Sequence, residues 1–232
     1  MINDISQQPV GQIVADDYRA AQVFRAHGVD FCCGGKKSLN DVCISKNIKL
    51  DAVLEELDGL KNSGAEQNNY SDWSLDFLAD YIVQNHHNYV RKMLPELEFY
   101  AEKVARVHGG HHPELLEVLK NVKVLSNELI EHLEKEEADL FPQIKKLVQE
   151  KKAGTVKDAL LEVLEEEHEK AGELMANIEF LTDGFTPPED ACASYKVLFQ
   201  NLEGFQKDLH KHVHLENNIL FPKALAFEKR MN

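Results

Sequence analysis

The chain has 232 residues, is 43% hydrophobic and carries a formal charge of −14 with a pI near 5.2, so it can bury a core and is long enough for a bundle plus a small accessory unit. Its 26 Lys and Arg are outnumbered by 40 Asp and Glu and nowhere gather into a basic face, which excludes a nucleic-acid groove. No run approaches the ~18 apolar residues of a membrane span, no basic-then-apolar leader opens the chain, and Cys32, Cys33, Cys43 and Cys192 do not make a disulfide framework; a reduced cytoplasmic protein is expected.

In chain order, residues 1–65 read as a small helical domain. Val14, Tyr18, Ala21 and Phe24 recur at helical spacing and Gly28 supplies a stop, while Ser38 and Asp51 are placed as N-caps of two further short helices. Between the first and second helices lies VDFCCGGKK, a loop in which Gly34 and Gly35 free the backbone. The polar stretch 61–72 reads as a linker. The remainder, 72–230, is helical by pattern. A first long helix is expected over 74–107 and a second over 113–152, joined at Gly109 and Gly110. Gly154 ends the second, and Thr155 with Asp158 offers a capping box for the third. The stretch 183–190 is a second connection whose arms do not match, since His168 lies nearer to it than His212 does. Pro142 and Pro222 fall inside helical patterns and should kink them.

The chemistry sits in a sequence written twice, EHLEKEEADLFPQI at 131–144 and KHVHLENNILFPKA at 211–224. In each copy a His stands four residues before a Glu, His132 with Glu136 and His212 with Glu216, so each pair shares one helix face. An earlier His precedes each copy by a similar interval, His87 and His168. The unit is therefore a helical hairpin, and two hairpins make a four-helix bundle. Four His and two Glu converging inside it suit two octahedral iron ions bridged by carboxylate. A single His-x3-Glu arises readily by chance on acidic helices; two copies with matching flanks do not.

Spacing separates His87 from its neighbour His86 only weakly, since both lie on an apolar stripe. Glu137 is read as solvated, because five residues from His132 it turns off the α-helical face. His108, His111 and His112 cluster at the first inter-helix turn and read as loop residues. Cys32 and Cys33 are either a buried small-residue turn or a pair of thiols, near Lys36 and Lys37, suited to soft metal contact. Zinc competes with iron for any such N/O site.

With these motifs the chain resembles the YtfE/ScdA/DnrN proteins for repair of iron centres. FCCGGKKSL resembles the N-terminal signature of that family, HLEKEEADLFP and HVHLENNILFP its two metal-binding stretches, and EEEHEKAGEL and TPPEDAC the segments between. The resemblance implies an all-α, hemerythrin-like bundle behind a small helical domain. It also implies two non-haem iron ions held by His87, His132, Glu136, His168, His212 and Glu216, so it selects His87 over His86. A family His after the first bundle helix matches His108, an outer-shell candidate. The implied function is repair of iron–sulfur clusters damaged by oxidants or nitric oxide, with iron donated to damaged iron–sulfur proteins and the Cys32–Cys33 pair mediating transfer. Nitric oxide reduction, or binding of nitric oxide or dioxygen, needs the same six ligands. A homodimer is compatible with this reading.

Overall fold

The computed structural model describes residues 5–61, 69–151, 156 and 158–231. Four short helices come first: α1 (Val10–Asp16), α2 (Ala20–Ala26), α3 (Leu39–Lys46) and α4 (Leu50–Lys61). The stretch read from sequence as one helix is two, because Asp17 interrupts it. Its carboxylate accepts the Arg19 backbone N–H at 3.0 Å and pairs with the Arg19 guanidinium at 2.7 Å, a local bond that competes with helix continuation. Gly28, at φ 64°, ends the second of them in the left-handed region. Ser38 caps α3 by accepting the Asp41 N–H, whereas Asp51 lies within the first turn of α4 rather than capping it. The linker expected at 61–72 falls largely outside the described residues, as do Gly154 and Thr155.

Four long rods follow. The first is α5 (Leu75–Ile82), a π turn at Val83–His87 and α6 (Asn88–His108). The second is α7 (Glu114–Lys135), a π turn at Glu136–Leu140 and α8 (Phe141–Glu150). The third is α9 (Asp158–Leu181), and the fourth is α10 (Ala193–Leu215), a π turn at Glu216–Leu220 and α11 (Phe221–Lys229). Each rod packs on the next and α10 closes the ring against α6, the up-and-down arrangement that short connections favour. Fully buried Leu94, Leu97, Leu125, Leu198 and Leu202 fill its interior, each stabilising the fold by about 1.5–3 kcal/mol.

Pro142 and Pro222 do not break their rods. Each follows a π turn by two residues, and the wider i→i+5 turn moves aside the carbonyl that a proline ring would strike in an α-helix. The mismatch at the second connection is resolved without lengthening the third rod: 182–192 bridge it, with Asp190 and Cys192 reaching His112 and His108 at the far end of the first two rods.

The N-terminal helices share one hydrophobic core with the bundle, Phe24, Phe31 and Leu39 joining Leu198, Leu209 and Val213. Phe31 meets the rings of His210 and His214 edge-on at 6.2 and 5.7 Å. The double glycine of the CCGG loop serves space rather than backbone freedom. Asn218, in the last π turn, donates to Phe31 O at 3.2 Å and to Cys32 O at 3.0 Å, and a Cβ on Gly35 would lie 2.2 Å from its side-chain oxygen. No helix among the described residues is long and apolar enough to cross a membrane.

Candidate metal centre

All six residues singled out by the repeat, His87, His132, Glu136, His168, His212 and Glu216, lie inside the bundle at 2% exposure or less. They fall into two four-residue groups that share both carboxylates: His87, His212, Glu136 and Glu216, and His132, His168, Glu136 and Glu216. His87 Nε2 lies 3.1 Å from His212 Nε2, and His132 Nε2 lies 2.9 Å from His168 Nε2. Glu136 Oε2 sits between the groups, 3.3 Å from His87 Nε2 and 3.4 Å from His132 Nε2. Glu216 spans them likewise, Oε1 3.0 Å from His212 Nε2 and Oε2 3.2 Å from His168 Nε2. Each group takes one His from each hairpin, so neither hairpin alone completes a site.

The outer ring nitrogens repeat the same symmetry. The residue after each shared Glu holds the His on the first arm of its own hairpin: Glu137 bonds His87 Nδ1 at 2.7 Å and Asn217 bonds His168 Nδ1 at 2.8 Å. The residue before each first-arm His serves a second-arm His. Glu167 bonds His132 Nδ1 at 2.9 Å, and its counterpart His86 instead stacks on His212 at 5.6 Å while bonding Asp208 at 2.9 Å. Glu137 is therefore not simply solvated. The π turn that opens at Glu136 changes the angular step along the rod, so Glu137 bonds His87 and Arg91, both at 2.7 Å, with its side chain 31% exposed. Sequence reading missed Glu137, Glu167 and Asn217 as ring-nitrogen partners; their matched positions beside the repeated ligands were the available signal.

His108 is not an outer-shell residue. It ends α6, 21 residues beyond His87 and so about 31 Å away along the rod, where its Nε2 lies 3.2 Å from Cys192 Sγ. Cys32 and Cys33 do approach the centre. Cys33 Sγ lies 3.5 Å from the His168 carbonyl oxygen and 3.9 Å from Cys32 Sγ. Asp30 fastens their turn, accepting the N–H groups of Cys32, Cys33 and Gly34 at 2.8–3.0 Å.

The residues fit a pair of metal ions. With the Nδ1–H of His132 given to Glu167 and that of His168 to Asn217 Oδ1, the two Nε2 lone pairs face each other at 2.9 Å, a repulsive arrangement that a cation relieves. Oε1 of Glu136 is buried without a hydrogen-bond partner among the described residues, and Oε2 of Glu136 and of Glu216 have only imidazole nitrogens 3.2–3.4 Å away, out of hydrogen-bond alignment, which is costly unless a ligand meets them. The facing Nε2 atoms of each pair, 3.1 and 2.9 Å apart, are close enough for one ion to be bound by both.

Without a cation, protons do the neutralising. Burial pushes His87 and His132 down, but Glu136 and Glu216, joined at His132 by Glu167, outweigh it and raise them to about 9 and about 10. Burial likewise works against the charged form of Glu216, yet His212 and His168 hold its carboxyl well below the usual range. Glu167, bonded by His132 and Lys135, falls to about 2.

Fold and site together define a hemerythrin-like bundle: up-and-down helices, facing imidazoles and two carboxylates common to both halves of the centre. Comparison with known proteins agrees. Residues 78–224 match the hemerythrin HHE cation binding domain, and residues 6–61 match ScdA_N, a domain of unknown function (DUF542). The chain is 39% identical over 224 residues to the iron-sulfur cluster repair protein YtfE of Enterobacter sp. (strain 638), which covers 95% of this chain and 98% of that one. It is 38% identical to the proteins of the same name from Cronobacter sakazakii, with 96% and 98% covered, and from Escherichia coli O81, with 95% and 98% covered. The chain belongs to the YtfE family.

Proposed function

We propose that this protein binds two iron ions, one between His87 and His212 and one between His132 and His168, with Glu136 and Glu216 common to both, and that it donates iron to iron–sulfur clusters damaged by oxidative or nitrosative stress. The observation that carries the reading is the sharing of both buried carboxylates between two facing His pairs, in a chain that aligns nearly end to end with proteins named for cluster repair. Iron here is cargo. An all-nitrogen-and-oxygen donor set binds ferrous iron more weakly than a thiolate cage, which suits release.

Glu137, Glu167 and Asn217 hold three of the four imidazoles in the tautomer that presents Nε2 to the centre. Cys33, whose sulfur reaches the backbone of the ligand His168, offers the softer donor for a transfer step. A protein that only carries a diatomic gas has no use for that thiol pair, which favours donation over a gas-binding module.

The test is recovery of activity in an oxidant-damaged [4Fe–4S] dehydratase supplied with iron-loaded protein, with nitric oxide consumption measured in parallel. Faster recovery than with the same quantity of ferrous salt, slowed by joint Cys32→Ser and Cys33→Ser replacement at matched iron content, supports donation. Recovery no faster than with ferrous salt, alongside rapid nitric oxide turnover, replaces it with a reductase.

A further inference from the structure

Beside the Cys pair a cleft of about 800 Å³ opens between the N-terminal helices and the bundle. Its walls differ in charge. Arg25, Lys37 and Lys46 line the N-terminal side, and Glu169 and Glu173 line the α9 side. Of these, Lys46 also donates to Gly28 O at 2.6 Å; at the edge Lys207 pairs with Glu203, Glu179 accepts from Gln206 at 2.8 Å, and the Asp30 carboxylate accepts the amides of the CCGG turn.

Cys33 forms part of the wall and is partly exposed, whereas Cys32 is buried. The neighbouring Cys33, burial and Asp30 push the Cys32 thiol well up, so it remains an S–H, with the Asp30 carboxylate as its acceptor at 3.2 Å and Cys33 Sγ 3.9 Å away. Opposite Cys33 stands Gly172, in the interior of α9, where glycine is disfavoured relative to alanine. A Cβ there would lie 3.5 Å from Cys33 Sγ, so its absence leaves the sulfur open to the cleft.

We propose that this cleft binds a zwitterionic low-molecular-weight thiol, or its disulfide, of the class of a cysteine-containing tripeptide, and presents its sulfur to Cys33. The basic wall takes its carboxylates and the acidic wall its ammonium group. A disulfide bound there reacts by exchange. The Cys33 sulfur attacks one sulfur of the ligand, the ligand S–S bond breaks, a Cys33–ligand disulfide forms, and the departing thiolate takes the proton that Cys33 gave up. One ligand thiol leaves for each protein thiol consumed, so the bound disulfide is the only oxidant required. The inference does not depend on the iron-donation reading, because it concerns the cleft and Cys33 alone.

The experiment treats iron-loaded full-length protein with oxidised glutathione or with cystamine, a dicationic disulfide, and follows modification of each cysteine by peptide mass spectrometry. Oxidised glutathione should modify Cys33 ahead of the more exposed Cys192. Lys37→Glu, a surface change, should slow that reaction roughly tenfold while leaving cystamine unaffected or faster. Gly172→Leu should close Cys33 to both reagents and leave the Cys192 rate unchanged. The proposal is overturned if Cys192 reacts first, if charge reversal at Lys37 has no effect, or if only a longer cysteine peptide reaches Cys33, which would mark the cleft as a site for a polypeptide.

Discussion

Replacement of Glu167 by alanine should empty one half of the metal centre and spare the other. Glu167 touches neither carboxylate of the cluster. It accepts from His132 Nδ1 at 2.9 Å and also pairs with Lys135, and so fixes the tautomer that leaves the His132 Nε2 lone pair aimed at His168. Losing such a partner costs about 10- to 100-fold in metal affinity, or about 1.4–2.7 kcal/mol. The larger figure is expected for alanine, while Glu167→Gln keeps an acceptor oxygen and should fall at the smaller. Lys135 is 41% exposed, so freeing it adds little.

The other pair, His87 with His212, gains nothing from Glu167 and should hold its ion. The assay is anaerobic titration of the iron-loaded variant with a chelator, counting iron per chain and following the Mössbauer spectrum. A plateau at one ion per chain, at a chelator concentration that leaves the wild type at two, is the expected result. Parallel loss of both ions with a single midpoint would refute the assignment of Glu167 to one half-site.

The shared carboxylates predict the opposite pattern: Glu136→Ala or Glu216→Ala should release both ions together, while Glu137→Ala should weaken only the His87–His212 half, by about tenfold, as read by the same titration. In the metal-free protein His87 and His132 are raised to about 9 and about 10, so uptake at pH 7 should release about two protons, measurable by calorimetry in buffers of different ionisation enthalpy. Because both folded-state values lie above the unfolded one, their contribution to metal-free stability is full below about pH 6.5 and lost as pH rises through 9 to 10, which chemical denaturation at several pH values would reveal. Gly11→Ala places a Cβ 2.1 Å from the Asn218 side-chain oxygen and 3.0 Å from the Gly35 backbone; a loss of about 1–3 kcal/mol, read as a lower Tm and partly restored by Asn218→Ala, is expected.

The bundle was legible in the sequence, and of the six central residues five were singled out by the repeat without a rival. Helical periodicity and a repeated His-x3-Glu are local properties, and an i,i+4 pair has one geometry wherever its helix goes. The sequence could not firmly separate His86 from His87, since adjacent positions on an apolar stripe are equally buried, at 2% and 0%. Spacing favoured His87 weakly and the family resemblance more strongly, and packing gives the two their distinct neighbours. Nor could it assign Glu137, because the π turn that opens at Glu136 departs from the angular step that α-helical spacing assumes. The pairing of one His from each hairpin, the bonds from Glu167 and Asn217, and the seating of the Cys32–Cys33 loop against His168 join residues 35 to 135 positions apart. Such contacts depend on how the rods pack side by side and on the N-terminal helices docking over them, and no local pattern encodes either.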